Sequence, residues 1–194
     1  MAEITFGVPA DQKVITAEIL YNAFQDKFET VFGPKDRVIS LLSEHFCNER
    51  IVVAHDTGEV IGVGGLKFAG KSFISITGWQ LLRTLKGGII RFLFTGWVLE
   101  TTVEPTEILV DILAVTQLMR GKGIGSALMS FIIDFAHTEG YKQVKLFVVD
   151  TNRKAKKFYT DMGFKEKEIH RIIFPWNRVF GFNTAFEMVY NTDI

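Results

Sequence analysis

Ile108-Leu109-Val110-Asp111-Ile112-Leu113-Ala114-Val115-Thr116-Gln117-Leu118-Met119-Arg120-Gly121-Lys122-Gly123-Ile124-Gly125 is the stretch from which the rest of the chain is read. An apolar, strand-like run ends at Val115, a connector spans Thr116 to Met119, and a glycine loop opens directly into a helical pattern. Gly121, Gly123 and Gly125 leave backbone N–H groups uncovered by side chains. First-turn N–H groups have no intrahelical partner, and the helix dipole adds partial positive charge, so such a loop binds anions. Successive N–H groups in the turn also form a nest for phosphate oxygens, and a diphosphate is the most economical ligand. Two known diphosphate loops fail here. The P-loop needs Gly-Lys-Ser/Thr, but Lys122 is followed by Gly123. The dinucleotide fingerprint needs a third glycine or alanine where this chain has Ser126, and it needs the loop immediately after the strand. Taken alone, the loop is equally a tight strand-to-helix turn.

A second motif lies downstream. Leu146, Val148, Asn152, Ala155, Phe158, Tyr159, Gly163 and Phe164 follow L-x-V-x-x-x-N-x-x-A-x-x-F-Y-x-x-x-G-F. Together with Leu113-Ala114-Val115 and Arg120-Gly121-Lys122-Gly123-Ile124-Gly125, this resembles the GNAT superfamily of N-acetyltransferases, whose signature is R/Q-x-x-G-x-G/A after a strand ending in L-A-V. The resemblance covers about residues 104–167. It departs at Gln117, where many members carry proline, a position that shapes the connector and not the chemistry.

The resemblance implies a mixed, mostly antiparallel central sheet of six to seven strands flanked by helices, in one domain over residues 1–194. It implies acetyl-CoA as co-substrate. The diphosphate would lie on the loop of Arg120, Gly121, Lys122, Gly123, Ile124 and Gly125, with Ser126 beside it. The pantetheine arm would pair with main-chain groups along Leu113, Ala114 and Val115, where the strand splays from its neighbour. An N–H at Val115 would polarise the thioester carbonyl and stabilise the oxyanion of a tetrahedral intermediate. Tyr159 matches the family's general acid toward the sulfur, and Asn152 a residue that contacts the cofactor or orients that tyrosine. Read without the family, Tyr159 is a tyrosine packed on Phe158 and Asn152 a helix N-cap.

The base that frees the amine is open among Glu104, Glu107 and Asp111. Strand alternation puts Glu107 and Asp111 on one face, where either could take a proton through water or bind an ammonium. Asp111 is nearer the thioester end. Each carboxylate equally suits a lysine partner.

The bulk properties exclude several classes. With 194 residues, 47% of them apolar, the chain has material for a full core. Formal net charge is zero, so no global field favours nucleic acid or a membrane. The lone Cys47 forms no internal disulfide and suits a reducing compartment. The N-terminus does not read as a signal peptide, and no apolar run reaches the ~20 residues of a membrane span. A cytoplasmic protein without metal is expected, since no His/Cys cluster has ligand spacing.

In chain order, residues 3–8 read as a strand and 10–32 as an amphipathic helix carrying Ile15, Ile19, Leu20, Ala23, Phe24, Phe28 and Val31. A second helix runs to about Cys47, with His45 near its end. Ile51–His55 and Val60–Phe68 form a hairpin about Asp56-Thr57-Gly58-Glu59. Gly62, Gly64 and Gly65 in its second strand mark a bulge or a close approach. Residues 69–104, rich in Trp, Leu and Phe around Gly87-Gly88, read as an inserted helical hairpin. It would pack on the sheet, close over an apolar acceptor, or make a homodimer surface. After the glycine loop come a helix to about His137 and a strand over Gln143–Val149. A helix from Asn152 follows, with Arg153, Lys154, Lys156 and Lys157 clustered on one side. These four are either a solvated face or, in part, phosphate neighbours. Phe164–Phe174 and Phe182–Tyr190 are closing strands.

The leading expectation is acetyl transfer to an amine of a small molecule or a peptide. The alternative is a non-catalytic acyl-CoA sensor or interaction module of the same fold. A nicotinamide oxidoreductase is remote, because the third glycine position fails.

Overall fold

The computed structural model describes residues 2–25, 28–29, 33–76, 103–174, 177–178 and 181–192. Seven strands form one sheet: β1 (Glu3–Phe6), β2 (Ile51–Asp56), β3 (Glu59–Lys67), β4 (Glu107–Val115), β5 (Gln143–Val149), β6 (Lys165–Arg171) and β7 (Thr184–Asn191). Their spatial order is β1-β2-β3-β4-β5-β7-β6. Only β4 and β5 run parallel; the other neighbours are antiparallel. Among the described residues four helices flank the sheet: α1 (Lys13–Ala23), α2 (Lys35–His45), α3 (Ile124–Thr138) and α4 (Arg153–Asp161).

The sheet divides two apolar clusters. On one side Leu128, Met129, Ile132 and Ala136 of α3 pack on Val52, Val110, Val144 and Leu146. On the other, Ala17, Leu20, Val38 and Leu42 of α1 and α2 pack on Val53, Val63, Ile112 and Ala114. Strand alternation sends successive side chains to opposite clusters, as at Val52 and Val53.

The hairpin turn falls where the sequence put it, with Thr57 at φ 50° and Gly58 at φ 86°, the doubly left-handed turn of a two-residue loop. Both readings of the β3 glycines hold. A Cβ at Gly62 would stand 3.0 Å from the side chains of Ile124 and Leu128, so this glycine lets α3 sit close on the sheet. At Gly65 a Cβ would meet Phe73 at 2.6 Å, and the register with β4 slips beside it, between Gly65 and Leu66.

The first helix is shorter than the periodicity suggested. A 3-10 turn at Ala10–Gln12 precedes α1, which ends at Ala23. Phe24 leaves helical geometry at φ −134°, its N–H held by Leu20 and Tyr21 carbonyls. Ile15 is exposed and not in the core, and Val31 lies outside the described residues. Of the 69–104 insertion, 77–102 also lie outside them. Its described start is not helical: Phe68 bridges Lys71, and Ile74 bridges Phe46 at the exit of α2.

Candidate active site

The parallel pair β4 and β5 is joined only from Glu107↔Gln143 to Val110↔Leu146. Beyond that rung β4 continues to Val115 and β5 to Val149, so a wedge opens between their C-terminal ends. The cause lies at Asp111. Gly65 pairs Ile112 and Leu66 pairs Val110, which leaves Asp111 as an extra residue on β4. Such a bulge bends its strand and increases the local twist, while β5 stays bound to β7 along its length. It also shifts the alternation. Ile108 and Val110 face α3, whereas Ile112 and Ala114 face α1 and α2.

Hydrogen-bond alternation fixes where the free main-chain groups of β4 point. Thr116 N–H reaches the Ile61 carbonyl at 2.9 Å. Rungs of an antiparallel ladder alternate, so Leu113 and Val115 turn their N–H and C=O away from β3, into the wedge. There the Val115 carbonyl accepts a hydrogen bond from Arg120 Nε at 3.2 Å, which ties the glycine loop to the strand end.

The loop itself is exposed from Arg120 to Gly123, with Gly121 at φ 76° and Gly123 at φ 82°. These positive φ values explain glycine better than lack of room does, since a Cβ at either would touch nothing within 4 Å. Lys122 N–H and Ala127 N–H reach the carbonyls of Met119 and Gly123 at 3.4 and 2.9 Å. The N–H groups of Gly121, Gly123, Ile124, Gly125 and Ser126 have no acceptor among the described residues. A Cβ at Gly125 would lie 3.6 Å from the Phe158 ring and 3.9 Å from Val115, so loop, strand end and α4 converge here.

On α4, Asn152 Oδ1 accepts the Ala155 N–H at 3.1 Å, the N-cap its sequence position suggested. Tyr159 stands edge-on to Phe158 and Phe164, at ring separations of 5.0 and 5.8 Å. Its hydroxyl has no hydrogen-bond partner among the described residues. Burial pushes this phenol up to about 12, so it stays protonated across the physiological range. The basic run of α4 divides. Lys156 pairs with Glu166 at 2.9 Å and Lys157 with Asp161 at 2.8 Å, while Arg153 and Lys154 have no carboxylate partner among the described residues.

The two strand carboxylates have different surroundings. Glu107 is buried and bonds Lys145 Nζ at 2.6 Å, with Lys167 at 3.6 Å. Burial alone would raise its pKa, but the Lys145 hydrogen bond and charge, the Glu104 N–H and Lys167 outweigh burial and lower it. Asp111, four residues on and therefore about 13 Å along the strand, accepts a hydrogen bond from Ser72 Oγ at 3.1 Å. Water reaches the Asp111 side chain, yet the protein around the carboxyl desolvates it and raises its pKa to about 6. The Ser72 hydrogen bond and the Lys67 charge act against that rise.

Two groupings are invisible in the sequence. Ser72 lies 39 positions from its partner Asp111. Glu168 and His170 of β6 meet Glu187 of β7, with ligand atoms within 4.8 Å of one another. Strand pairing, not spacing along the chain, brings these together. Glu187 already has His170 at 3.4 Å and Lys167 at 3.7 Å.

Comparison with known proteins gives concordant results. A model described as the acetyltransferase (GNAT) family matches residues 17–164. An uncharacterized N-acetyltransferase of Methanocaldococcus jannaschii is 44% identical over 50 residues, 26% of this chain. The match covers 22% of that curated relative's length. The structure of the ribosomal-protein-S18-alanine N-acetyltransferase of Escherichia coli superposes with a TM-score of 0.58 at 17% identity, covering 100% of this chain and 96% of that one. Ard1 of Thermoplasma volcanium gives 0.61 at 17% identity, covering 98% and 97%. At such identities the likeness is one of fold. Among the described residues no helix is long and apolar enough to cross a membrane.

Proposed function

The chain belongs to the acetyltransferase (GNAT) family, and on that premise we propose that it moves an acetyl group from acetyl-CoA to an amine by direct attack. The observation that carries this reading is two neighbouring sets of main-chain groups without main-chain partners. They are the N–H groups of Gly121, Gly123, Ile124, Gly125 and Ser126 and the wedge-facing groups of Leu113 and Val115, of which the Val115 carbonyl is held by Arg120. The first set suits a diphosphate and the second an extended amide-bearing arm added like a strand. Arg120 holds the two sets together through Val115. Arg153 and Lys154 supply charge near a nucleotide phosphate. Asn152 serves the same site by fixing the start of α4, and hence Tyr159.

Acetyl-CoA supplies an acyl carbonyl activated by its thioester. The amine lone pair attacks that carbon, the C–N bond forms, and the oxyanion that develops meets the Val115 N–H. Losing one donor of this kind typically costs roughly 3–4 kcal/mol in the barrier. The C–S bond then breaks and the thiolate leaves. Tyr159, with a pKa of about 12, acts by donating a hydrogen bond to that thiolate. Complete transfer to a thiolate of ordinary pKa, about 8.5, would be uphill, so water completes the protonation.

Asp111 is our choice of base. Glu107 is held by Lys145 and drops out. A carboxylate of pKa about 6 lies about 2 pH units below an α-amino group but about 4 below a lysine-like amine. That difference favours a peptide α-amine over an alkyl amine. The test is thiol release from acetyl-CoA against a panel of α-amines and alkyl amines. Turnover with α-amines that is lost in Asp111→Asn supports the proposal. Tight acetyl-CoA binding with no turnover on any amine would favour a binding module.

A further inference from the structure

Ser72 belongs to a short strap that is fixed at both edges. Phe73 is buried and fills the notch left by Gly65, where a Cβ would stand 2.6 Å from its ring and 2.7 Å from Ile112. The Phe73 carbonyl accepts Cys47 N–H at 2.8 Å, Ser75 N–H reaches the His45 carbonyl at 2.9 Å, and Ile74 bridges Phe46. The strap is thus a short antiparallel rung against the exit of α2, and its anchor packs on the residue following the Asp111 bulge. Ser72 is the first residue before that anchor, and its hydroxyl reaches one oxygen, Oδ2, of Asp111. Among the described residues the other charged group acting on Asp111 is Lys67, at the end of β3. The Glu107–Lys145 pair lies further down the same two strands.

We propose that Ser72 is a positioning residue: by donating to Oδ2 it holds the Asp111 carboxylate in one orientation and leaves Oδ1 to receive the acceptor's proton. The inference rests on the reading of Asp111 as the base. A carboxylate on an open strand bulge rotates between equivalent rotamers, and a fixed donor to one oxygen removes that freedom. This is the arrangement of a base oriented by a third group. The hydrogen bond also favours the ionised form, so it keeps the base ready at lower pH.

The experiment is a carboxyl-carbon NMR titration of protein labelled at Asp Cγ, which needs no acceptor. Asp111→Asn identifies the Asp111 signal by its loss. In the wild type this signal should titrate near pH 6. In Ser72→Ala it should titrate higher by roughly half to one pH unit, and Ser72→Thr, which keeps the hydroxyl, should restore the wild-type midpoint. A wild-type midpoint near 6 that Ser72→Ala leaves unmoved would overturn the role of Ser72 while sparing Asp111. A wild-type midpoint at an ordinary aspartate value of about 4 would remove the support for Asp111 itself, and the role of Ser72 with it.

Discussion

Asp111 and Tyr159 hold their protons more tightly than free side chains do, through the same cause, desolvation. For Asp111 the consequence has a definite sign. Its folded pKa, about 6, exceeds the unfolded value near 3.8, so the folded state binds the proton more strongly. The penalty for ionising the carboxylate therefore builds as pH rises from the unfolded value through about 6, is complete above that, and vanishes below the unfolded value. Urea unfolding of Asp111→Asn should show a variant more stable than wild type at pH 8, with that advantage gone by pH 4. As a base, the same group predicts that kcat/KM rises with pH through a limb near 6, and that Asp111→Asn abolishes the limb. Tyr159→Phe should keep acetyl-CoA binding and lose roughly 100-fold or more in kcat, the usual range for a donor placed on developing charge. Loss of binding and turnover together would make Tyr159 a packing residue. The sequence named both residues through motif position and strand placement. It did not show that Asp111 sits on a bulge, because the bulge arises from how β4 registers against Gly65 and Leu66 of another strand.

At the scale of elements, the glycines of β3 set the distances between layers. Gly64→Ala brings a Cβ to 3.2 Å from the Ile132 side-chain tip, and a flexible tip can yield. Gly65→Val meets the Phe73 ring at 2.6 Å and Ile112 at 2.7 Å. Gly65→Val should lose about 1–3 kcal/mol of unfolding free energy while Gly64→Ala loses little, as measured by denaturant melts. The Glu107–Lys145 pair joins β4 to β5 within the stretch where they are paired. Lys145→Met leaves the buried Glu107 carboxylate with only the half-exposed Lys167 at 3.6 Å and the Glu104 N–H, and should cost up to roughly 3–5 kcal/mol. The double variant Glu107→Leu/Lys145→Met should recover most of that loss. Because the pKa of Glu107 is lowered on folding, its stabilising share is present above the unfolded value of about 4.3 and fades as pH falls below it. Apolar periodicity disclosed the existence of these elements. It overran at α1, because Val14 and Ile15 continue an apolar pattern yet are exposed, and the helix ends at Ala23.

For the whole molecule, a formal net charge of zero leaves recognition to local placement. The sheet provides that placement. A single parallel pair within an otherwise antiparallel sheet parts at a bulge, and the helix that follows the first of those strands begins at the gap. The glycine loop was legible directly, because backbone geometry at positive φ leaves a mark in residue type; the splay at Leu113-Ala114-Val115 was implied by the family resemblance, and the bulge at Asp111 that goes with it was not legible. The contacts made across strands were not legible: the Ser72 partner of Asp111, and the group of Glu168, His170 and Glu187, are assembled by strand pairing, with no spacing to announce them.

In the proposed function the unpaired N–H groups of Gly121 and of residues 123–126 hold a diphosphate. Calorimetric titration of acetyl-CoA into the wild type, Gly123→Glu and Gly58→Glu tests it most directly. Gly58 has nearly the same backbone, φ 86° against 82°, and equally open space, but it sits in the β2–β3 turn, so it controls for strain. Binding to the wild type and to Gly58→Glu, and none to Gly123→Glu, is the expected result. No binding to the wild type, or equal binding to all three proteins, would contradict it.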